Sequence, residues 1–122
     1  MNMIQNRNPL ETKILKNKQI KKSVDYIRSL NKSIALCHGV FDLLHLGHIR
    51  HLAKAKESAD ILVVSITADQ FVNKGPGRPV FSENQRAEAL AHLECVDYVI
   101  ISNATSAAGV LEDVKPNFYF KG

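Results

Sequence analysis

His45 and His48, three residues apart, are the side chains of this sequence with the clearest capacity for chemistry. The apolar residues that follow them recur with a helical period, so the pattern predicts that a helix begins here. A helix N-terminus favours an anion, because its backbone N–H groups are unpaired and its dipole is positive there. Gly47, between the histidines, indicates that the backbone comes close to a bulky group. Because imidazoles can also donate hydrogen bonds to oxygens that gain negative charge, this spacing indicates a site for polyphosphate chemistry.

The segment around these histidines, residues 39–48, differs from the common phosphate-binding motifs. It contains neither the glycine triplet of a dinucleotide-binding fold nor the Gly-Lys-Ser/Thr of a P-loop, which disfavours NAD enzymes and P-loop kinases. An alternative interpretation is that the two histidines only cap the helix. A cap needs a single Ser, Thr, Asp or Asn, so a pair of histidines favours the chemical interpretation.

Other polar side chains near the motif leave their roles open. Asp42 could orient an imidazole or a backbone turn, or it could be a simple turn carboxylate. His38 and His51 are left outside the candidate site. His92, near a predicted helix C-terminus, is interpreted as a partner of the helix dipole.

A glycine-rich basic loop, residues 74–79, follows the second buried strand. Its Lys74 and Arg78 can neutralise phosphate oxygens, and the neighbouring glycines allow the backbone to approach a ligand closely. The alternative is a surface turn with incidental charges. Arg86 lies in the first turn of a later helix, where a cation opposes the helix dipole, so we expect an anionic partner for it.

The elements that must position these residues alternate between strands and helices. They are an amphipathic helix from Asn17 to about Leu30, a strand over residues 34–37, a helix from Leu46 to about Lys56, a strand from Ile61 to Thr67, a helix from Glu83 to about Leu93, a strand from Asp97 to Ile101, a weaker helix from Ser106 to Val114 and a strand beginning at Phe118. A Ser-x-x-Gln capping box at Ser82 marks the start of the third of these helices. The order predicts right-handed crossovers and an α/β, Rossmann-like three-layer sandwich with a parallel sheet. Residues 39–48 and 74–79 then meet beyond the carboxyl ends of the strands, where such sheets bind ligands.

Composition indicates one soluble domain. The 122 residues are 45% hydrophobic and 23% charged, which fits a single core over residues 13–122 preceded by a loose lead-in over residues 1–12. No apolar run approaches the roughly 20 residues needed to span a bilayer, and the N-terminus lacks a secretory signal, so we expect a cytoplasmic protein without a membrane partner. Cys37 and Cys95 lie in apolar stretches and are interpreted as reduced, buried thiols. We expect no metal site built by the protein itself.

The net charge of +4 comes largely from lysines that crowd between residues 13 and 22. Such a run can bind nucleic acid, but it has no interleaved aromatic residues and no recognised binding motif. The solvated face of a helix is therefore the favoured interpretation, and we expect no nucleic-acid partner. A modest positive field still favours anionic small molecules.

The ten residues 39–48, Gly-Val-Phe-Asp-Leu-Leu-His-Leu-Gly-His, resemble the hallmark of the cytidylyltransferase-like nucleotidyltransferases. The resemblance implies transfer of a nucleoside monophosphate from ATP or CTP, which carries Mg²⁺, to a phosphorylated sugar or polyol, with release of pyrophosphate. It also makes a homodimer the expected assembly. By this resemblance the catalytic residues are His45, His48 and Lys74. The implied nucleotide-binding residues are Gly39, Val40, Phe41, Asp42, His45, Gly47, His48 and Asp69, and the implied phosphate- or substrate-binding residues are Lys74, Arg78 and Arg86.

Within that family, residues 74–80, 85–86, 96–99 and 121–122 are most similar to heptose-1-phosphate adenylyltransferase domains. This similarity implies that ATP and heptose 1-phosphate are joined to ADP-heptose for surface polysaccharide synthesis. A glycerol-3-phosphate or other polyol-phosphate cytidylyltransferase is the alternative enzyme, although that enzyme resembles Gly-Thr-Phe-Asp where this chain has Val40. A non-catalytic nucleotide-binding module is the alternative of another class.

Members of this family continue into a segment that carries an Ile-Ser-x-Ser-like helix start, which grips the β- and γ-phosphates. This sequence ends at Gly122 without such a segment. We therefore expect a domain that is truncated at its C-terminus, whose activity depends on residues outside it.

Overall fold

The computed structural model of the protein describes Asn8 and residues 12–122. The lead-in predicted over residues 1–12 therefore lies outside the described residues, apart from Asn8 and Thr12. The strands are β1 (Ile14–Leu15), β2 (Ile34–Gly39), β3 (Ile61–Thr67), β4 (Tyr98–Ser102) and β5 (Phe118–Lys121). The helices are α1 (Asn17–Ser29), α2 (Leu46–Glu57), α3 (Glu83–Ala91) and α4 (Ala108–Val114), with a turn of 3-10 helix at Asp69–Phe71.

The five strands form one parallel sheet in the order β1-β4-β3-β2-β5. Alternate residues of β2 face opposite sides, because side-chain direction along a strand has a period of two. Ala35 and Cys37 pack with α2 and α3 on one face, while Ile34 and Leu36 pack with α1 and α4 on the other. The predicted Rossmann-like, three-layer α/β architecture is confirmed.

Apart from shifts of about two residues at the ends of elements, two features of the predicted elements differ in the structure. The two-residue strand β1, which pairs with β4, was not predicted, because so short a segment carries no detectable period. Leu30 was expected on the apolar stripe of α1 with Ile20, Val24 and Ile27. It is instead the C-cap residue and 48% exposed, because it follows the last helical residue, Ser29, and no longer continues the helical period.

The order in which strands are added to the sheet reverses between β2 and β5. From β2 the chain proceeds through β3 to β4 on one side, and β5 then pairs with the opposite edge of β2. At such a reversal the crossovers leave on opposite faces, which opens a crevice beyond the carboxyl ends of the strands. Residues 40–45 follow β2 directly into this crevice.

Neither cysteine is in a disulfide bond. Cys37 is buried, as predicted, but Cys95 is only half-buried. Burial, and to a smaller extent the neighbouring Cys95, raises the pKa of the Cys37 thiol to about 12. Within residues 12–122, none of the helices combines the length and the apolar character needed to cross a bilayer.

Candidate active site

Helix α2 begins with a reciprocal pair of hydrogen bonds made by the two histidines. The Gly47 N–H donates to Nδ1 of His45 over 3.0 Å, and the His45 N–H donates to Nδ1 of His48 over 3.3 Å. This is a capping box with imidazoles in both positions. The expectation that capping would not involve two histidines is therefore wrong, because one side chain caps each of two different backbone N–H groups.

Capping uses Nδ1 of each ring and leaves Nε2 outside the capping hydrogen bonds. Since each Nδ1 accepts a hydrogen bond, it carries a lone pair, so the ring proton of each histidine lies on Nε2. The ring centroids of His45 and His48 lie 4.1 Å apart with an interplanar angle of 36°. Two N–H donors are thus presented side by side at the positive end of a helix, where developing negative charge would be stabilised.

Gly47 makes room for the ring of His45. A Cβ atom at this position would lie 2.7 Å from Cε1 of His45, closer than such contacts occur. The bulky group expected beside this glycine is therefore an imidazole of the motif itself. The histidine pair and the glycine between them form one structural unit.

Replacing Gly47 by alanine should disrupt this unit. The added methyl group displaces the imidazole of His45, so we expect a loss of about 1 kcal/mol from the free energy of unfolding, as for a lost N-cap, together with slower turnover. Urea unfolding and a pyrophosphate-release assay measure the two effects. Gly109→Ala is the matched control, because no atom lies within 4 Å of its added methyl and helix propensity favours alanine there. A Gly47→Ala protein as stable and active as the wild type would contradict the assignment.

Phe41 forms a buried wall behind His48. Its ring meets the imidazole edge to face, with centroids 5.7 Å apart and an interplanar angle of 71°. Its backbone has φ of +52°, a left-handed conformation that costs about 1–3 kcal/mol for a residue with a side chain. Gly39 and Gly122 give the ring space, because Cβ atoms there would lie 3.1 and 2.7 Å from it. The chain thus turns sharply after β2 and holds the aromatic ring against the histidine.

Asp42 orients a backbone turn and not an imidazole. Its carboxylate is 6% exposed and accepts hydrogen bonds from the N–H groups of Val80 (2.8 Å) and Phe81 (2.9 Å), and from Nη1 of Arg78 (3.1 Å). Burial acts to raise the pKa of Asp42, but these three donors outweigh it and hold the pKa below its ordinary value of 3.8. The carboxylate is therefore ionised at neutral pH and joins the motif to the basic loop.

Arg86 is fully buried beneath the site. Its Nη1 donates to the carbonyl oxygens of Val40 (3.0 Å) and Thr67 (2.8 Å), its Nε donates to that of Phe81 (3.0 Å), and its Nη2 contacts Oδ1 of Asp69 at 2.6 Å. The anionic partner expected for this cation is thus Asp69. One guanidinium ties together the segments that follow β2 and β3 and the start of α3.

The geometry gives Arg86 a positioning role. Four of its five N–H donors are taken by protein oxygens, and its side chain has 0% exposure. The direct phosphate contact that the family resemblance implied for Arg86 remains a prediction without geometric support here. Asp69, implied as a nucleotide-binding residue, is occupied in the same network, although its side chain is 42% exposed.

The basic loop lies on the same side of the molecule as the histidines. Gly75 and Gly77 have φ of +95° and +76°, a conformation that favours glycine, so they shape the turn that carries Lys74 and Arg78. The positive charge of Lys74 contributes to the lowered pKa of His48. The side chain of Arg78 is 38% exposed and paired with Asp42. The fold therefore brings Arg78 to the motif segment through Asp42, while the placement of Lys74 beside the histidines remains a prediction.

His48 is neutral at neutral pH. Burial first, and then unfavourable electrostatic interactions with His45, His51 and Lys74, lower its pKa below the ordinary value of 6.5, while a hydrogen bond with the Leu43 backbone acts in the opposite direction. A neutral imidazole keeps Nδ1 free of a proton, as the capping hydrogen bond requires. Protonation of His48 would therefore compete with the cap.

Folding stability should fall as the pH falls below 6.5, because burial also lowers the pKa of His38 from that value. In the window between the lowered pKa values and 6.5 the unfolded chain binds more protons than the folded one, so stability rises with pH there. Urea unfolding at about pH 7.5 and about pH 5.5 measures the change. His38→Gln removes one of the two titrating groups and should weaken the dependence. Equal stability at both pH values would contradict the prediction.

Several polar residues near the site were not identified from the sequence. His38, at the carboxyl end of β2, pairs its Nδ1 with Oγ of Ser65 on β3 at 2.6 Å. Glu83 accepts a hydrogen bond from the Asp69 N–H over 2.8 Å. Within the described part of the chain, Nε2 of His51 is the one buried side-chain polar atom that lacks a partner. The spacing of His51, one turn after His48, was its only indication in the sequence.

A cavity of about 620 Å³ lies beside the motif loop, between that loop and α3. Phe41, Leu44 and Phe81 contribute to its walls, but neither His45 nor His48 does. Its size is typical of a ligand pocket. The helix start and the basic loop, which hold the groups suited to phosphate, are nevertheless the better candidates for the reaction centre.

No group of three or more His, Cys, Asp or Glu side chains that could hold a metal ion occurs among the described residues. Asp42 and Asp69, the carboxylates of the site, are committed to Arg78 and Arg86. These residues therefore do not form a cage for Mg²⁺. Binding of Mg²⁺ together with a nucleotide remains a prediction.

Comparison with known proteins agrees with this geometry. The family model described as cytidylyltransferase-like matches residues 36–122. A solved structure, the lipopolysaccharide core biosynthesis protein from Thermoplasma volcanium GSS1, superposes with a TM-score of 0.67 and 33% sequence identity, covering 72% of each chain. The family match over residues 36–122 thus includes the histidine motif, the basic loop and Arg86.

Curated relatives of the chain carry the name bifunctional protein HldE. The one from Geobacter metallireducens is 40% identical over 97 residues, which are 78% of this chain and 20% of the relative. The one from Pseudomonas entomophila is 37% identical over 121 residues, which are 98% of this chain and 26% of the relative. The chain thus spans about a fifth to a quarter of the length of these relatives. It belongs to the cytidylyltransferase-like family of nucleotidyltransferases, as the motif at residues 39–48 predicted.

Proposed function

We propose that the chain transfers a nucleoside monophosphate from an NTP to a phosphorylated sugar and releases pyrophosphate. The observation that carries this proposal is the histidine capping box, which presents two Nε2 donors at the N-terminus of α2. Lys74 and Arg78 add positive charge beside these donors. Such an arrangement suits a reaction in which negative charge spreads over the oxygens of one phosphorus atom.

In this reaction an oxygen of the acceptor phosphate attacks the α-phosphorus of the NTP in line. A new phosphorus–oxygen bond forms, and the bond between the α-phosphorus and the bridging oxygen breaks, so that pyrophosphate leaves with the bonding electrons. His45 and His48 would donate hydrogen bonds to the α-phosphate oxygens, and Lys74 would offset the charge that develops there. Mg²⁺ bound to the triphosphate would supply further positive charge. No covalent enzyme intermediate is needed.

ATP and heptose 1-phosphate are the substrates we propose. Residues 74–80 and 121–122 resemble heptose-1-phosphate adenylyltransferase domains. Relatives named bifunctional protein HldE, and a solved structure titled as a lipopolysaccharide core biosynthesis protein, support the same choice. Because base and sugar are recognised by contacts outside the histidine motif, the substrate choice rests on these relatives and not on the motif.

A substrate panel tests the proposal. The chain is incubated with Mg²⁺ and each of the four NTPs, with heptose 1-phosphate, glycerol 3-phosphate or other sugar phosphates, and pyrophosphate and nucleotide-sugar products are quantified. ADP-heptose as the main product supports the proposal, whereas CDP-glycerol from CTP would replace it with the polyol cytidylyltransferase. Calorimetric binding of ATP without any pyrophosphate release would instead identify a non-catalytic nucleotide-binding module.

A further inference from the structure

Asp42 connects two parts of the site that are far apart in the sequence. The carboxylate follows β2, and its hydrogen-bond partners Arg78, Val80 and Phe81 come 36 to 39 residues later. Oδ1 accepts from Phe81, while Oδ2 accepts from both Val80 and Arg78. Both oxygens thus hold residues 78–81 against the segment that follows β2.

The guanidinium of Arg78 is paired with Asp42 through one nitrogen and is partly exposed to solvent. Among the described residues, Asp42 is the one side-chain partner of this guanidinium, which it meets through Nη1 at 3.1 Å. An arginine side chain has five N–H donors in a rigid plane, so the remaining donors are available to an oxyanion. The side chain is 38% exposed, which gives a ligand access to them.

The neighbouring charges make a phosphate the natural ligand of these donors. Lys74, four residues earlier in the same loop, acts electrostatically on His48. His48 lies at the N-terminus of α2, a position that favours anions. An oxyanion near Arg78 would therefore meet cationic or N–H-donating groups from the loop and from the helix start.

We propose that Asp42 is a positioning residue, which anchors residues 78–81 so that Arg78 is held ready to bind a phosphate group of a substrate. The inference rests on the proposed function and adds a residue that acts through another. It differs from the nucleotide contact that the family resemblance implied for Asp42, because a 6% exposed carboxylate with both oxygens occupied has little left to offer a nucleotide. A buried carboxylate is costly without hydrogen-bond partners, so the contacts of Asp42 with residues 78–81 are needed in the folded protein.

A double-mutant cycle tests whether Asp42 acts through Arg78. Steady-state KM values for the NTP and for the acceptor phosphate are measured for the wild type, Asp42→Asn, Arg78→Gln and the double variant. Each single substitution should raise the KM of one phosphate substrate about tenfold, and the double variant should be no worse than Arg78→Gln alone. The substrate whose KM rises shows whether Arg78 binds the triphosphate or the acceptor phosphate.

Asp97→Asn is the matched control. Asp97 also combines an ion pair with a backbone contact, to Lys56 Nζ and the Leu62 N–H at 2.7 Å each, but it precedes β4 at the opposite end of the sheet. This substitution should lower thermal stability without changing either KM. A general loss of stability is thereby separated from a loss of positioning.

Two results would overturn the inference. One is an unchanged KM in Asp42→Asn, and the other is independent, multiplicative effects of the two substitutions. If Asp42→Asn does not fold, Asp42→Glu keeps the charge but displaces the guanidinium, and it should still raise the KM.

If the wild type releases no pyrophosphate with any substrate pair, the proposed function fails separately. In that case, calorimetry measures the affinity of the wild type, both single variants and the double variant for inorganic pyrophosphate. Equal affinities of all four proteins would exclude the positioning role.

Discussion

Replacing His48 by glutamine should slow pyrophosphate release by about 100- to 1,000-fold while the protein stays folded. Glutamine at the third helical position is a normal partner in a capping box, so it can still accept the hydrogen bond from the His45 N–H. It lacks the imidazole that would donate to the α-phosphate. The substitution therefore separates the structural role of His48 from its chemical role.

The same separation is possible at His45. Asparagine is among the best N-cap residues, so His45→Asn should preserve the stability of α2 and still lower the rate, whereas His45→Ala should also cost about 1 kcal/mol of stability. Urea unfolding measures the stability of each variant, and single-turnover release of pyrophosphate measures the chemical step. Full activity in His48→Gln or His45→Asn would show that the replaced imidazole is not required for the reaction.

Replacing Arg86 by methionine should lower the free energy of unfolding by about 3 kcal/mol or more. Methionine fills the buried volume but cannot donate a hydrogen bond, so the carbonyl oxygens of Val40, Thr67 and Phe81 lose their partner. Asp69 also loses its counterion. We expect activity to fall with stability, because the segments that carry the motif and the basic loop are joined through this guanidinium.

Urea unfolding compares this variant with two others. Arg50→Met removes an exposed arginine of α2 and should change stability by less than about 0.5 kcal/mol. Arg86→Lys keeps the charge but cannot serve the same four acceptors with its three donors, so it should lie between the wild type and Arg86→Met. A stable Arg86→Met protein with a raised KM for a phosphate substrate would restore the direct phosphate contact that the resemblance implied.

The order of strands and helices was determined by local patterns. The alternation of apolar strands with amphipathic helices depends on neighbouring residues, and it predicted the parallel three-layer fold. Ser82 and Gln85 show how local such information is, because they form the predicted capping box with hydrogen bonds of 3.2 and 3.0 Å. The predicted helix end near Leu30 is confirmed, but the burial of Leu30 was wrong, because the helical period does not show where contact with the core stops.

The sequence also carried a prediction for the chemistry of the histidine motif, but it did not show the geometry of the motif. His45 and His48 indicated phosphate chemistry by type and spacing. The finding that both Nδ1 atoms cap α2, and that Gly47 accommodates a ring of the motif itself, requires rotamers and backbone angles. A sequence pattern specifies neither the rotamers nor the backbone angles.

The partners of the charged residues were decided by the tertiary structure alone. Asp42 and Arg78 were separate candidates in the sequence, and the fold joins them across 36 residues. Arg86 was expected to face a ligand, and the fold instead encloses it among oxygens of segments that follow β2 and β3. The residue type determines that a buried charge needs a partner, but only the packing of distant segments determines which partner it meets.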